Sequence, residues 1–437
     1  MYDPEIERAP WEEQVAADDA LYIRQIGYLL ERSPFYREKL AAGGFHDAAA
    51  IGGLADIAAL PLTEKDELRA TRSAAAPIGT YLAAPLSEVV RIYSTSGTTG
   101  APSFVPLTRR DLAAWVRISA RSYAASGLKR GDRLITTYNA GPFVAGATLD
   151  AFNALDVTIV PVGSGNSDRL MSAVRLLEPQ VIALTPSYAL HLAEWARDHG
   201  IDAAATSIER IMVAGEPGGG EPAMRAKLER AWNAQVTEAM GIGDIAVSLW
   251  GECREQQGMH FGGRGLVHFE LIDPDSGKPR ELADGVEGEL VYTHLDREAA
   301  PLLRFRSRDH VRLWTGRCAC GRTSPRIRCI GRTDDMLIVR GVNVFPTALR
   351  ETVNAFAPLV SGMISVRPRQ KGFRQDPPLK VLVELAEGTA TDADLAGQIR
   401  SRIRDALLVN TEIGLTPYGS LPRSEYKSKL VDWSEAG

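Results

Sequence analysis

Apolar residues recur at helical spacing, with charged residues between them, over residues 11–42 near the start of the chain. This periodicity predicts one helix across the whole stretch. A second helix is predicted in the segment LPLTEKDELRA, around residues 60–70. Thr63 lies three residues before Asp66 there, a spacing close to a capping box, so Thr63 is the predicted N-cap.

Short β-rich runs replace this pattern in the middle of the chain and alternate with helical ones. The predicted strands are Val89–Ile92, RLITTYNA, VTIVPV, VIALTP and IMVAGEP, and the helical stretches between them include SAVRLLE and YALHLAEWARDHG. Short buried strands that alternate with helices are typical of a parallel sheet. The fold class predicted from the pattern is therefore α/β, with a largely parallel sheet.

Strands and turns dominate after about residue 260. The stretch GLVHFELIDPDSGKPRELADGVEGELVYTHL predicts a strand, a turn and a second strand, with Asp275, Ser276 and Gly277 in the turn. RIRCIGRTDDMLIVRGVNVFP continues in the same β-rich style. The remaining residues alternate between helix, in ALRETVNAF and DLAGQIRSRIRDAL, and strand, in KVLVELAEG. They predict a compact α+β module at the C-terminal end.

Composition limits the classes of function. The chain has 437 residues, 50 basic and 55 acidic, with a formal net charge of −5. Its length predicts two or three domains, and its mild acidity argues against a nucleic-acid partner. The N-terminus is acidic and polar, and no apolar stretch approaches the roughly 18 residues of a spanning helix. We therefore expect a cytoplasmic protein with no membrane partner.

The segment STSGTTG, Ser94–Gly100, is rich in hydroxyl residues and glycine. Glycines let the backbone approach an anion closely, and hydroxyls with backbone amides can hold phosphate oxygens. The segment lacks the Walker A pattern. Composition alone leaves two interpretations open, a phosphate-binding loop and an ordinary flexible surface loop.

This segment also begins a set of motifs that runs through nearly the whole chain. The motifs are STSGTTGAPS followed by LTRRDL, AGEP (214–217), EAMGIGDI, RFRSRDH (304–310), GRTDDMLIVRGVNVFP (331–346) and LPRSEYKSKL (421–430). In this order they resemble the phenylacetate–coenzyme A ligase group of the adenylate-forming enzymes. The N-terminal segments ERSPFYREKLAAGGF and LPLTEKDELR resemble that group as well.

The resemblance implies a domain organisation and a reaction. It implies a large N-terminal adenylate-forming body at residues 1–333, with mixed and parallel sheets, helices and a β-rich subdomain, and a small mobile α+β lid at residues 334–437. Such ligases use ATP and Mg²⁺ to convert a carboxylate into an acyl-AMP with release of pyrophosphate. The thiol of coenzyme A then displaces AMP. Positioning and electrostatics carry most of the catalysis in the first step.

By resemblance, one set of residues binds ATP. Thr98 and Thr99 are expected to donate directly to the phosphates, and Thr98 is counted as catalytic. Asp309 is expected to accept both ribose hydroxyls, as a carboxylate can. The family usually has Lys after the loop, where this chain has Ala101, which removes a cation. The full set expected to bind the nucleotide is Ser94, Ser96, Gly97, Thr98, Thr99, Gly100, Glu216, Pro217, Asp309 and Arg332.

Asp244 falls where the family has a Glu that helps to hold Mg²⁺. Asp keeps the charge but is one methylene shorter. The family's aromatic residue before this position is Met240 here, and its Thr or Ser is Gly243. Two interpretations of Asp244 therefore stay open, a catalytic Mg²⁺ ligand and a turn or N-cap aspartate.

Lys427 is the expected catalytic lysine of the lid. The family's C-terminal pattern is R-S-E-G-K, and this chain reads R-S-E-Y-K, with Tyr426 in place of Gly. A lysine there can bridge the carboxylate and the α-phosphate as the adenylate forms. Asp334 resembles the hinge position, at which a few residues absorb the rotation of the lid.

The resemblance implies that the acid lies beside YNAGPFVAGA, AGEP and the MGIG turn. Tyr138 and Phe143 are candidates to stack on an aromatic acid, with ordinary core packing as the alternative for each. These stretches contain no obvious Lys or Arg for a second carboxylate, which favours a monocarboxylic acid. The expected substrate-binding residues are Tyr138, Phe143, Ala214, Gly215, Met240 and Gly241.

Four cysteines exclude a disulfide scaffold but leave room for one metal site. Cys253, His260, Cys318 and Cys320 make a set of three thiolates and one imidazole, which suits structural Zn²⁺. Some relatives in the group look similar at these positions. Unrelated buried thiols are the alternative, and Cys329 is expected to be a buried strand residue.

The leading prediction is an ATP-dependent aryl-acid–coenzyme A ligase for a phenylacetate-, benzoate- or anthranilate-like acid. Two alternatives remain, an adenylating enzyme that passes the acyl group to a carrier-protein thiol or an amine, and a catalytically weak ligand-binding relative. The expected cofactors and partners are ATP, Mg²⁺, coenzyme A, structural Zn²⁺ and a small carboxylic acid. A homodimer is the oligomeric state considered.

Overall fold

The computed structural model describes residues 1–95, 103–138, 144–163, 165–340, 342–390, 392–423 and 429–436. The chain divides into two compact units. The first unit comprises Met1–Gly163, Thr237–Ser307 and Arg312–Arg328. The second unit comprises Ser164–Val236, Arg308–Val311 and Cys329–Gly437.

Helices and strands alternate along most of the described chain. The α-helices are α1 (Pro4–Arg8), α2 (Trp11–Arg32), α3 (Pro34–Ala42), α4 (Ala48–Ile51), α5 (Lys65–Ala70), α6 (Arg109–Ala125), α7 (Ala147–Asn153), α8 (Ser167–Leu177), α9 (Pro186–Asp198), α10 (Pro222–Trp232), α11 (Pro346–Asn354) and α12 (Ala393–Leu407). The first ten strands are β1 (Val89–Ser94), β2 (Phe104–Thr108), β3 (Arg133–Thr136), β4 (Thr158–Pro161), β5 (Val181–Leu184), β6 (Arg210–Ala214), β7 (Gln235–Ile242), β8 (Ala246–Glu252), β9 (Met259–Phe261) and β10 (Val267–Ile272). The other strands are β11 (Pro279–Arg280), β12 (Glu287–His294), β13 (Phe305–Trp314), β14 (Arg326–Arg332), β15 (Leu337–Val339), β16 (Val342–Val344), β17 (Val360–Arg367), β18 (Arg374–Gln375), β19 (Leu379–Leu385) and β20 (Thr411–Thr416).

The N-terminal helices of the first unit pack on their own apolar cluster. Tyr22, Ile26 and Leu29 are almost fully buried there, together with Leu303. The prediction of one helix over residues 11–42 is wrong at Ser33, because α2 ends there and α3 begins with the next residue. Pro34 has no backbone N–H to continue α2, and the Ser33 hydroxyl instead accepts from the N–H of Tyr36.

The start of α5 also differs from the prediction. Thr63 is not the N-cap, because its hydroxyl donates to the carbonyl of Leu303 at 2.7 Å and the residue is fully buried. Glu64 caps the helix instead, and its backbone N–H donates to the Glu67 carboxylate. The predicted helix is therefore present, with its cap shifted by one residue.

Strands in the first unit follow the predicted patterns. β3 and β4 pair in parallel. The pairs β7–β8, β8–β9 and β9–β14 are all antiparallel. The two predicted strands are β10 and β12, which pair antiparallel, but the predicted turn joins β10 to the short strand β11, which also pairs with β10. In this turn, the N–H groups of Asp275 and Ser276 donate to the side chain of Asp273, and Gly277 has a φ of 67°.

In the second unit, β5 and β6 pair in parallel. As predicted, α8 precedes β5 and α9 lies between β5 and β6, and a further helix, α10, follows β6. The C-terminal residues form an α+β module in which β19 pairs with β17 antiparallel and with β20 in parallel. Leu349 and Val353 of α11 and Ile399 of α12 are fully buried in its core. The predicted α/β class and the C-terminal α+β module are confirmed. None of the described helices has the length and apolar character needed to cross a bilayer.

Candidate active site

The base of the predicted phosphate loop is a two-stranded hairpin in the first unit. Ser94 ends β1 and pairs with Phe104, the first residue of β2. The N–H of Thr95 donates to the carbonyl of Ser103 at 2.9 Å, which joins the two ends of the loop. The predicted phosphate ligands Ser96, Gly97, Thr98, Thr99 and Gly100 lie outside the described residues, as does Ala101.

Asp244 lies in the tight turn between β7 and β8, where the N–H of Ile245 donates to the carbonyl of Ile242 at 2.8 Å. Its carboxylate contacts the ammonium group of Lys65, with Nζ 2.7 Å from Oδ2, and its side chain is only 11% exposed. Asp244 is thus both a turn residue and a partly buried, paired carboxylate. A single carboxylate together with phosphate oxygens is the ligand set that Mg²⁺ usually takes. Asp244 fits that role.

Sequence reasoning assigned no role to the basic residues of α5. Lys65 and Arg69 lie four residues apart, on one face of this helix. The guanidinium of Arg69 donates to the hydroxyl of Ser103 at 3.1 Å, directly beside the loop, while Lys65 contacts Asp244. The spacing of these two cations in LPLTEKDELR was the signal that could have found them. Together they bring positive charge to the base of the loop and to the metal-ligand candidate.

The hairpin formed by β7 and β8 determines where Met240 and Gly241 lie. Met240 pairs with Trp250 across the hairpin and is partly buried. A Cβ on Gly241 would lie 1.8 Å from the carbonyl oxygen of Val247, so only glycine fits there. Tyr138 follows β3 and is 9% exposed, which agrees with both of the interpretations made for it. Phe143 lies outside the described residues.

The AGEP segment follows β6 in the second unit. Ala214 is the last residue of that strand, and Gly215 has a φ of 96°, which turns the chain. The Glu216 carboxylate accepts from the N–H of Ser187 at 2.8 Å, in the first turn of α9. The carbonyl of Pro217 accepts from the guanidinium of Arg350 at 2.8 Å. The positions of Glu216 and Pro217 are therefore held by contacts that the sequence did not predict.

The structure brings Asp309, Arg332 and Asp334 together in the second unit. Arg332 Nη1 lies 3.2 Å from Asp309 Oδ1, and the same guanidinium makes two hydrogen bonds to Asp334 at 2.9 and 2.7 Å. Burial alone would lower the pKa of Arg332, but the carboxylates of Asp309 and Asp334 outweigh it and raise the pKa above its usual value. Arg332 is thus a fixed cation at the predicted ribose position.

The residues directly before Asp309 and Asp334 contact each other through their backbones. Arg308, directly before Asp309, has a φ of 67°, a left-handed conformation that costs energy for a non-glycine residue. The N–H of Thr333, directly before Asp334, donates to the carbonyl of Arg308 at 2.7 Å. This contact links the predicted ribose ligand to the predicted hinge.

Lys427 lies outside the described residues, but the start of its motif is described. The guanidinium of Arg423 makes two hydrogen bonds to the fully buried Glu384 carboxylate, at 2.8 and 2.7 Å. The N–H of Leu421 donates to the same carboxylate at 2.9 Å. The segment that leads to Lys427 is therefore anchored to β19.

Three cysteines and one histidine of the first unit form a compact cluster. The ligand atoms of Cys253, His260, Cys318 and Cys320 all lie within 4.8 Å of one another. The sulfurs of Cys253 and Cys318 are 3.6 Å apart, and Cys320 Sγ is 3.4 Å from His260 Nε2. Tetrahedral zinc with Zn–S bonds of about 2.3 Å separates two sulfurs by about 3.8 Å, so these spacings fit zinc.

Strand pairing assembles this cluster from distant parts of the chain. Cys253 directly follows β8 and His260 lies in β9, while Cys318 and Cys320 occupy the loop before β14. β14 pairs with β9 with Arg326 opposite His260. Hydrogen bonding to the Cys253 thiol, and then to the His260 ring, lowers the pKa of Cys320, which favours a thiolate there. Cys329 lies in β14 as predicted, but it is half-buried rather than buried.

Comparison with known proteins identifies the family. The sequence profile of AMP-binding enzymes matches residues 51–294, and the profile of the AMP-binding enzyme C-terminal domain matches residues 341–432. The chain is 36% identical to phenylacetate-coenzyme A ligase of Thermus thermophilus, over 97% of each chain. It is 34% identical to the enzyme of the same name from Escherichia coli, over 92% of this chain and 90% of that one.

Solved structures of another CoA ligase are similar to this chain over nearly its full length. The crystal structure of 2-hydroxyisobutyryl-CoA ligase in the postadenylation state superposes with a TM-score of 0.90, at 26% identity, over 99% of this chain and 92% of that one. The same enzyme in its thioesterification state superposes with a TM-score of 0.72, at 27% identity, over 98% and 91%.

The chain belongs to the family of AMP-binding enzymes, which use an adenylate-forming fold. Within that family it resembles the phenylacetate–coenzyme A ligases, as the motifs predicted. The predictions of an α/β adenylate-forming fold and of an AMP-forming acid–thiol ligase are confirmed.

Proposed function

We propose that this enzyme activates an aromatic or arylacetic monocarboxylic acid and transfers it to coenzyme A. The observation that carries the proposal is the likeness, over almost the full length, to relatives named phenylacetate-coenzyme A ligase. The stretches beside the expected acid position contain no Lys or Arg, which supports an acid with one carboxylate. Tyr138, Phe143, Met240, Gly241, Ala214 and Gly215 are the residues proposed to contact it.

The reaction has two steps. A carboxylate oxygen of the acid attacks the α-phosphorus of ATP, and the bond to the bridging oxygen breaks, so that pyrophosphate leaves with the electron pair. The sulfur of the coenzyme A thiolate then attacks the carbonyl carbon of the acyl-AMP, and AMP leaves on its phosphate oxygen. Charge on the phosphates must be stabilised in the first step.

The proposed roles combine the family resemblance with the charges of the residues concerned. The Ser94–Gly100 loop would hold the phosphates through its hydroxyls and amides, with Thr98 as a direct donor. Asp244 would hold Mg²⁺, and Lys65 beside it supplies a cation that the loop lacks at Ala101. Asp309 and Arg332 would bind the ribose. Lys427, carried by the lid, would stabilise the developing adenylate.

We also propose the domain boundary at residues 333 and 334, with Asp334 as the hinge. The two family profiles end and begin on either side of it, at residues 294 and 341, which agrees with a separate C-terminal domain. The hydrogen bonds between Asp334 and Arg332 would then have to be remade when the lid rotates.

The Cys253, His260, Cys318 and Cys320 cluster is proposed to hold a structural Zn²⁺. Four protein ligands leave no open position for catalysis. The structure describes all four cysteines and none of them forms a disulfide, which supports the proposal of a reducing, cytoplasmic location. The homodimer stays a prediction, which light scattering on the purified protein would test.

One assay tests the proposed reaction. The protein is incubated with ATP, Mg²⁺ and a panel of aromatic acids, with or without coenzyme A, and pyrophosphate, AMP and thioester are measured. We expect pyrophosphate with an aryl monocarboxylate and free thioester only with coenzyme A. A matched acid with a second carboxylate, such as phthalate beside benzoate, should be inactive. Pyrophosphate without free thioester would favour transfer to a carrier thiol or an amine, and no pyrophosphate with any acid would favour a weak ligand-binding relative.

A further inference from the structure

A buried ion pair joins the C-terminal module to the segment that follows AGEP, within the second unit. Arg350, on α11, contacts both carboxylate oxygens of Glu221, with Nε at 3.1 Å and Nη2 at 2.6 Å. The same Nη2 donates to the carbonyl of Pro217 at 2.8 Å. One guanidinium therefore contacts the AGEP segment and the start of α10 at once.

This pair is more deeply buried than two other ion pairs between the same two parts of the unit. The Arg350 and Glu221 side chains are 6% and 8% exposed, whereas those of Arg423 and Glu194 are 20% and 16% exposed and those of Arg197 and Glu387 are 54% and 62% exposed. Exposed pairs contribute little, but removing one partner from a buried pair leaves an uncompensated charge and is strongly destabilising. Glu221 also directly precedes α10, where the helix dipole favours a carboxylate. Any movement of α11 that separated Arg350 from Glu221 while both stayed buried would therefore be costly.

The contact also fixes the backbone of the AGEP segment. Gly218, after Pro217, has a φ of 149°, and a Cβ there would lie 3.2 Å from Pro186 and 3.5 Å from the guanidinium of Arg350. The chain at Gly218 is thus packed between α9 and α11. A displacement of α11 would remove a hydrogen bond from the carbonyl of Pro217, a residue of the proposed nucleotide site.

We propose that Arg350 is a positioning residue that couples the C-terminal module to the AGEP segment during adenylation and releases it for thioester formation. The proposal rests on the two-step reaction given above. Because coupling is reciprocal, a filled nucleotide site also favours the paired state.

Two half-reactions measured separately test this role. Adenylation is followed as exchange of labelled pyrophosphate into ATP, with the acid that releases most pyrophosphate in the wild type. The second half-reaction is followed as thioester formation from supplied acyl-AMP and coenzyme A. The variants are Arg350→Met and the double variant Arg350→Met with Glu221→Met, which removes both buried charges. Arg369→Met is the matched control, because Arg369 pairs with Glu412 on the exposed surface of the same module.

We expect the single variant to lower the unfolding temperature and the double variant to recover most of it, since a buried pair can be replaced by apolar residues at little cost. In the double variant we expect exchange to fall about tenfold, a typical size for coupling between sites, with thioester formation changed by less than about twofold. The control should match the wild type in both half-reactions.

Two results would overturn the inference while the proposed function stands. One is a double variant whose exchange stays within about twofold of the wild type, and the other is a parallel fall in both half-reactions. A single variant that fails to fold leaves the double variant to decide. The absence of exchange in the wild type with every acid would instead overturn the proposed function, on which this inference depends.

Discussion

Replacing Cys318 with serine tests the zinc cluster most directly. Cys318 is 7% exposed and its sulfur lies 3.6 Å from that of Cys253, so the change removes one thiolate from the set without opening a surface. If zinc holds the four residues, the variant loses metal and the crosslink that the metal provides. We expect a lower unfolding temperature and a lower zinc content.

The size of the effect follows from the separation of the ligands along the chain. Cys253 and Cys318 are 65 residues apart, and a crosslink that closes a loop of this length lowers the entropy of the unfolded chain by an amount worth about 4 kcal/mol. For a unit of about 250 residues, each kcal/mol corresponds to roughly 2–4 °C in unfolding temperature. The expected loss is therefore at most about 8–16 °C.

The assay combines metal analysis with thermal unfolding. Zinc is measured in dialysed protein by mass spectrometry, and unfolding is followed by calorimetry with and without a chelator. Cys329→Ser is the matched control, because Cys329 lies in β14 and outside the cluster. We expect about one zinc per chain in the wild type and in the control.

Two results would refute this reasoning. The first is less than about half an equivalent of zinc in the dialysed wild type, since four protein ligands should retain the ion. The second is an equal unfolding temperature for Cys318→Ser and Cys329→Ser. In that case the four residues would be buried thiols and a histidine with no shared metal.

Three further predictions concern the phosphate site and the lid. Lys427→Ala should lower adenylation by about a hundredfold or more while sparing thioester formation from supplied acyl-AMP, and an equal loss of both would contradict its role. Lys65→Met should raise the KM for ATP about tenfold. The control Lys39→Met breaks another ion pair made by α5 and should leave this KM unchanged. Equal kinetics for the two variants would contradict the role of Lys65 in ATP binding. Burial alone would raise the pKa of Glu384, but hydrogen bonds from Arg423 hold this pKa below its ordinary value of 4.5. The pair therefore stabilises the folded state above about pH 4.5, and this contribution is lost as the pH falls through the lowered pKa. Urea unfolding should therefore show Glu384→Gln as destabilised at pH 6, with the difference shrinking toward pH 3, and a constant difference would contradict the linkage.

Periodicity was enough to predict the regular elements. The strands β3, β4 and β5 lie within their predicted runs and β6 begins one residue before its run, because short apolar runs between helices have few other ways to be buried. The helix boundaries were predicted less well. Ser33 ends α2 because Pro34 follows it, and the cap of α5 shifts because Thr63 is needed by the distant carbonyl of Leu303. A local pattern contains no information about such a long-range contact.

Some residues of the candidate site could be predicted from the sequence, and others could not. The family resemblance predicted Asp309 and Arg332, whose side chains lie 3.2 Å apart. The residue types and spacing predicted the four cluster residues, whose ligand atoms converge. Lys65 and Arg350 had no motif that pointed to their partners. Each contacts a carboxylate far away in the sequence, 179 and 129 residues respectively, so only the folded chain reveals the pair.

Lys65 bears directly on the departures in the phosphate site. Ala101 removes a cation from the loop, Gly243 removes the hydroxyl of the family's Thr or Ser, and Asp244 is one methylene shorter than the family's Glu. By themselves these departures favour a catalytically weak relative. Lys65 restores a positive charge 2.7 Å from Asp244. If Mg²⁺ takes that carboxylate, the ammonium group of Lys65 loses its partner at a site that is only partly open to water, and phosphate oxygens are the anions that the proposed reaction brings there. ATP bound with Mg²⁺ compensates both groups at once, whereas Mg²⁺ alone compensates only one. The pair therefore favours binding of the metal and the nucleotide together, which is what an adenylating enzyme requires.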